Sequence, residues 1–202
     1  MLDLKNLDIE FLIDKSGSMA TKDCPNGKSR WEYAQETTLA LASMAEAHDP
    51  DGICVVPFAN TYKTYEGVTA AKVSQVFAEN SPMGGTDTAN VLKYRLDEYF
   101  VRRANGGAKP VCIFVLTDGE PNDRQAVVRT IVDAANRIDS DNEIAIQFIQ
   151  IGTDPSATDF LTFLDDGLVS KHGAKFDIVD TNKLDSLENF TFEALLEKSF
   201  AD

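Results

Sequence analysis

Apolar residues recur along the chain with two different periods, and their alternation predicts the fold. Short, nearly continuous apolar runs read as strands over residues 7–13, 53–58, 111–116, 144–151 and 176–179. The run "VCIFVL" at 111–116 is apolar at every position, as suits a central strand covered on both faces. Pro57 lacks a ladder donor and places its strand end near a sheet margin or a bulge. "TYKTY" at 61–65 suits a short third strand at an antiparallel edge. Between these runs the apolar positions adopt helical spacing. Trp31, Ala34, Thr38, Leu41 and Ala45 share a stripe behind a capping box of Ser29 and Glu32, and residues 49–52 close that helix. Further helices are predicted over 70–80, after 84–87 with Ala89, Leu92, Leu96 and Tyr99 on one side, over 123–138 and over 158–168. Phe192, Leu196 and Phe200 mark a terminal one.

Strands that alternate with helices predict an α/β protein: a doubly wound, mostly parallel six-stranded sheet with helices on both faces. The expected order is 3-2-1-4-5-6, with short strand 3 antiparallel at the edge, which sets strands one and four side by side. There is no internal repeat, low-complexity tract or linker, so residues 1–202 are expected to form a single domain with a substantial core.

Composition changes this picture little: 43% hydrophobic and 26% charged residues are ordinary for a globular protein. Charge narrows the partners. With 33 acids against 19 bases the net charge is −14, which repels phosphate backbones and argues against nucleic acid. A solvated exterior accounts for most of that charge. Of three cysteines, Cys54 and Cys112 lie in apolar runs as small core residues, while Cys24 sits in a polar loop and reads as a surface thiol. An odd count without regular spacing favours a reducing compartment. "MLDLKNLD" shows no signal-peptide pattern, and no apolar run approaches the roughly 20 residues of a membrane span. A cytoplasmic protein without membrane contact is expected.

In an open parallel sheet, ligands bind beyond the carboxyl ends of the strands, where the strand order reverses. Three loops carry polar groups there: "DKSGS" (14–18), "MGGTDT" (83–88) and "TDGEPND" (117–123). Asp14, Ser16 and Ser18 alternate, which fits either a turn or a set of oxygen ligands facing one way. Asp14 and Asp118 at the ends of adjacent strands would repel unless a cation or protons intervened. Carboxylate and hydroxyl donors suit Mg²⁺, with Mn²⁺ or Ca²⁺ as alternatives, whereas zinc is disfavoured because His48 and His172 lie outside these loops. Gly17, Gly84, Gly85 and Gly119 fit sharp bends or close approach. Each motif alone is most often a turn; their conjunction at strand–helix junctions is far more specific.

The order D-x-S-x-S, then T, then the D of T-D-G resembles the metal-ion-dependent adhesion site of von Willebrand factor A-type domains. Asp14, Ser16, Ser18, Thr86 and Asp118 fill all five positions, and the alternating pattern matches that family over almost the whole chain. The resemblance implies that Ser16, Ser18 and Thr86 bind the metal through hydroxyls, with Asp14 and Asp118 acting directly or through water. It implies an ion left electrophilic, with an open position completed by a partner's Asp or Glu. The chain would then be a bacterial-type intracellular, metal-dependent protein-interaction module and not an enzyme. Its partners would include ATPases or stress-response complexes.

The alternative is a Mg²⁺-dependent phosphohydrolase of similar architecture. Those with an aspartyl nucleophile place a second acid two residues later, where this chain has Ser16. A serine hydrolase lacks a histidine in any motif loop, and the first turn lacks the glycine pattern of a dinucleotide site. Among nearby residues, Lys22 and Lys28 in loop 19–29 read as solvated, and Asp87, Glu120 and Asp123 as helix-start acids that adjoin the site. Trp31 reads as core, and His48 as a helix C-terminal residue.

Overall fold

The computed structural model describes residues 6–46, 48–49, 52–184 and 191–200. Six strands form one sheet: β1 (Asp8–Asp14), β2 (Ile53–Phe58), β3 (Tyr65–Val68), β4 (Val111–Thr117), β5 (Ile144–Gln150) and β6 (Val179–Lys183). Their order is β3-β2-β1-β4-β5-β6, and β2–β3 is the antiparallel pair in an otherwise parallel ladder. Among the described residues five α-helices lie between the strands, α1 (Arg30–Ala45), α2 (Ala70–Ala78), α3 (Thr88–Ala104), α4 (Arg124–Arg137) and α5 (Pro155–His172), and α6 (Phe192–Ser199) follows β6.

The period-two alternation of the strands divides the core into two layers. Ile9, Phe11 and Ile13 of β1 face α1, α2 and α6. Leu12, with Val56, Ile113 and Val115, faces α3, α4 and α5. All seven residues of β4 are buried, as its unbroken apolar run requires. Phe11 stacks on Phe114 with ring centroids 5.0 Å apart, and Trp31 packs against Phe77 at 4.5 Å, so the tryptophan is core.

Helix α1 starts where its capping box predicts. The Ser29 hydroxyl accepts from the Glu32 amide at 3.2 Å, and the Glu32 carboxylate accepts from the Ser29 amide at 2.7 Å. Ser29→Ala is therefore expected to cost about 1 kcal/mol, seen as a lower urea midpoint at unchanged slope. An unchanged midpoint would show that the box does not stabilise the helix. Pro50 and Asp51, two of the four residues expected to close α1, lie outside the described residues.

Three expectations are corrected. The third strand is Tyr65–Val68, not 61–65; the earlier stretch supplies only an isolated bridge from Tyr62 to Phe58. Gly52 and Gly67 approach closely beside this pairing: a Cβ on Gly52 would lie 2.9 Å from the Gly67 carbonyl carbon. Only Ile53 and Val55 of β2 pair with β3, so Pro57 falls beyond the paired stretch. The sixth strand is Val179–Lys183, starting where 176–179 was expected to end. As an edge strand it is buried only at its start, so its polar later residues carry no apolar signal. Finally, Cys24 is not a surface thiol: it is buried with Met19 in the core layer, while most of loop 19–29 around them is exposed. Lys28 is held by Glu36 at 2.6 Å, while Lys22 is exposed.

Candidate metal site

β1 and β4 are parallel neighbours in register Ile13 to Leu116, so Asp14 and Asp118 emerge from adjacent strands at the carboxyl edge of the sheet. Asp14 is fully buried. Its Oδ1 accepts from the Ser16 amide at 2.7 Å, and its Oδ2 accepts from the Thr117 hydroxyl at 2.7 Å. Burial pushes its carboxyl up to about 6, against the opposing pull of these hydrogen bonds and with a smaller upward push from the Asp118 charge.

Beyond Asp14 the hydroxyls form a chain. Ser16 Oγ and Ser18 Oγ lie 3.0 Å apart, and Ser18 Oγ donates to Asp118 Oδ1 at 2.9 Å. The other Asp118 oxygen accepts from Arg30 Nη1 at 2.7 Å. Arg30, the first residue of α1, also donates through Nε and Nη2 to Asp23 at 3.0 and 2.6 Å.

The glycine loop closes on the same place by backbone contacts. Met83 N donates to Lys15 O at 2.7 Å, and Gly17 N to Gly84 O at 3.1 Å. Gly85 sits between two asparagines, where a Cβ would come 2.8 Å from Asn60 Oδ1 and 2.9 Å from Asn122 Oδ1. No larger residue fits there without displacing both. Those oxygens accept from the amides of Gly85 and Thr86, each at 3.0 Å, and the Asn122 amide returns a bond to Thr86 O at 2.8 Å. Thr86 is thereby buried beside the third loop, joined through its backbone.

The structure therefore links Ser16, Ser18 and Asp118 directly, Asp14 through the Ser16 amide and the Thr117 hydroxyl, and Thr86 through Asn122. Asp87 and Asp123 cap α3 and α4, and Glu120 pairs with Arg124, so the adjoining acids have structural partners. Sequence reasoning missed Arg30, Thr117, Asn60 and Asn122. In the sequence Arg30 is an ordinary helix-start residue, no more marked than Lys22 or Lys28. Asn122 lay within the quoted third loop without a role.

The five residues expected as ligands carry two carboxylates and three hydroxyls. Among the described residues no group of three or more His, Cys, Asp or Glu side chains could hold a metal, so a cation site here depends on hydroxyl oxygens. Such oxygens fit a hard divalent cation.

The model of the von Willebrand factor type A domain family matches residues 8–189, from β1 to beyond β6. The fold resembles the SpRpn10 VWA domain, at 15% identity and TM-score 0.64, over 89% of this chain and 88% of that one. It also resembles a mutant of the PilB minor pilin from Streptococcus sanguinis, at 16% identity and TM-score 0.61, over 98% of this chain and 60% of the pilin. Manganese-loaded TRAP protein from Plasmodium vivax matches at 15% identity and TM-score 0.58, over 98% of this chain and 74% of that one. No curated protein matches the chain. Identities this low carry the fold alone, but the family match spans nearly every element, and the chain belongs to the von Willebrand factor type A domain family.

Proposed function

We propose that this domain is a non-catalytic protein-binding module gated by a divalent cation at a metal-ion-dependent adhesion site. Asp14, Ser16, Ser18, Thr86 and Asp118 would hold the ion, Mg²⁺ in the first place, with Mn²⁺ or Ca²⁺ as alternatives. The observation that carries this reading is the chain of oxygens from Ser16 through Ser18 to Asp118, at 3.0 and 2.9 Å, on the carboxyl edge of β1 and β4. Membership of a family that commonly serves protein interaction supports it. Manganese on the TRAP relative belongs to that protein, and brings Mn²⁺ here as a useful probe.

When bound, the cation would supply an electrophilic position for a partner's Asp or Glu. The residues of this chain leave it that character. Neutral serine and threonine hydroxyls bind without cancelling charge, and the Asp14 oxygens are already engaged by Ser16 and Thr117. Partners in this reading are cytoplasmic proteins with an exposed acidic side chain, with ATPases and stress-response complexes as the first classes to examine.

A phosphohydrolase fits the geometry poorly. A buried carboxylate with both oxygens hydrogen-bonded is withdrawn from nucleophilic attack, and Ser16 stands where a second acid would be needed.

Thr86→Ala tests the module reading. It removes one hydroxyl and leaves both carboxylates, so Mg²⁺ affinity by calorimetric titration is expected to fall only a fewfold. Capture of partner proteins from native lysate on the immobilised domain is expected to fall by about tenfold or more, the size of one lost charge-assisted contact. Wild-type domain that retains the same proteins in Mg²⁺ and in chelator would exclude gating by metal.

A further inference from the structure

We propose that Arg30 is a fixed counter-charge on the metal site: it half-neutralises Asp118, weakening cation affinity while leaving a bound cation more electrophilic toward an incoming carboxylate. The inference rests on the metal-gated reading above and adds to it a residue that sets its strength.

Asp118 is divided between two tasks. Oδ1 faces the serine hydroxyls, and Oδ2 is taken by Arg30 Nη1 at 2.7 Å. Arg30 is itself immobilised. Its backbone amide donates to Thr21 O at 3.0 Å, and its Nε and Nη2 form a fork on Asp23. On its remaining side stands Gly152, at φ +80, where a Cβ would come 3.2 Å from Arg30 Nε and 3.3 Å from Cζ. The loop after β5 thus approaches the guanidinium as closely as a glycine allows. Only 16% of the Arg30 side chain is exposed, against 42% for Asp23. Water screens the Asp23 carboxylate more than the buried Asp118 contact, so Asp23 does not cancel the cation where it matters. A guanidinium keeps its charge at every working pH, so the counter-charge is permanent.

The electrostatic consequence has two opposite signs. Asp14 and Asp118 together offer a cation two negative charges, and Arg30 returns one positive charge a single carboxylate away. Repulsion at that separation is strong in a partly buried site. The same positive charge limits how much Asp118 can give to the cation, which leaves more of the ion's charge for a carboxylate arriving from outside. A residue that merely held the loop in shape would affect both properties in the same direction.

The test uses the whole chain, stripped with chelator, and Mn²⁺ alone as the metal, with free ion followed by electron paramagnetic resonance. Acetate serves as the carboxylate probe, read as loss of water-proton relaxation enhancement. Arg30→Gln is expected to bind Mn²⁺ about tenfold more tightly and to need severalfold more acetate. Arg30→Met, which keeps the stem beside Gly152, carries the same expectation if the glutamine variant fails to fold. Arg30→Lys keeps the charge and is expected within about threefold of wild type, as is Asp23→Asn, which leaves the guanidinium on Asp118. Equal or weaker Mn²⁺ binding in the neutral variants would overturn the proposal. So would Arg30→Lys or Asp23→Asn reproducing their effect, because shape rather than charge would then be responsible. Wild-type protein that binds no Mn²⁺ would sink the metal-gated reading itself, a result separable from the others.

Discussion

Mg²⁺ at one hundred times its dissociation constant is expected to raise the unfolding free energy of the wild-type chain by about 2.7 kcal/mol, and the Asp14→Ala/Asp118→Ala variant is expected to lose that gain. The expectation follows from mass action: an ion that binds the folded site and not the unfolded chain stabilises in proportion to the logarithm of its concentration. The folded site exists only when β1 and β4 pair, because the Ser18–Asp118 bond joins residues 100 apart. The measurement is a series of thermal or urea transitions at rising Mg²⁺, with circular dichroism of the variant to show that it is folded. Asp118→Asn is the gentler companion: its amide oxygen can still accept from Ser18, while the charge is gone. A double variant that keeps the full logarithmic gain would put the ion elsewhere on the molecule.

The second large effect lies at the other end of the strands. Arg95→Ala is expected to destabilise the fold by about 3–5 kcal/mol, because it strands the Glu10 carboxylate inside the protein. Arg95 Nε and Nη2 reach the two Glu10 oxygens at 2.7 and 2.8 Å, and both side chains are almost completely buried. Arg102 approaches Glu10 only at 3.5 Å and is partly exposed, so it compensates weakly. At about 2–4 °C per kcal/mol for a chain of this size, a melting temperature lower by about 10 °C follows. The double variant Glu10→Gln/Arg95→Met is expected to recover most of the loss, since neither charge is then left buried alone. A single-variant loss below about 1 kcal/mol would show that water or Arg102 satisfies Glu10, against the 3–5 kcal/mol that an unpaired buried charge costs.

What was legible in the amino-acid sequence follows from how much each segment is covered. β2 and β4 are buried along their whole lengths, and their apolar runs gave positions within a residue of those observed. β3 and β6 are edge strands with one neighbour each, so backbone pairing rather than apolar content defines them, and both were displaced along the chain. Loop 19–29 is polar and largely exposed, as its composition implies. Met19 and Cys24 nevertheless anchor it in the core, and two apolar residues without a period leave no pattern to read. The candidate ligands were readable as strand-end residues in three loops. Arg30 touches Asp118 across 88 residues through the reach of a long side chain, and no local spacing encodes that contact. The asparagine pair around Gly85 was equally hidden, because its two members come from different loops.

Strand order also has a consequence in time. A ribosome delivers Ser16 and Ser18 a full 100 residues before Asp118, and β1 meets its central neighbour only after β4 has emerged. Until then the nascent chain holds two serines and Asp14 with no Thr117 hydroxyl to donate to Asp14 and no Asp118 for Arg30 to bind. Parallel pairing across such a separation is slow, because loop closure must precede its reward. In the metal-gated reading, the molecule therefore cannot grip the cation until Asp118 has been made, 100 residues after Ser18. A partner selected by the cation would then meet no chain that stops short of β4.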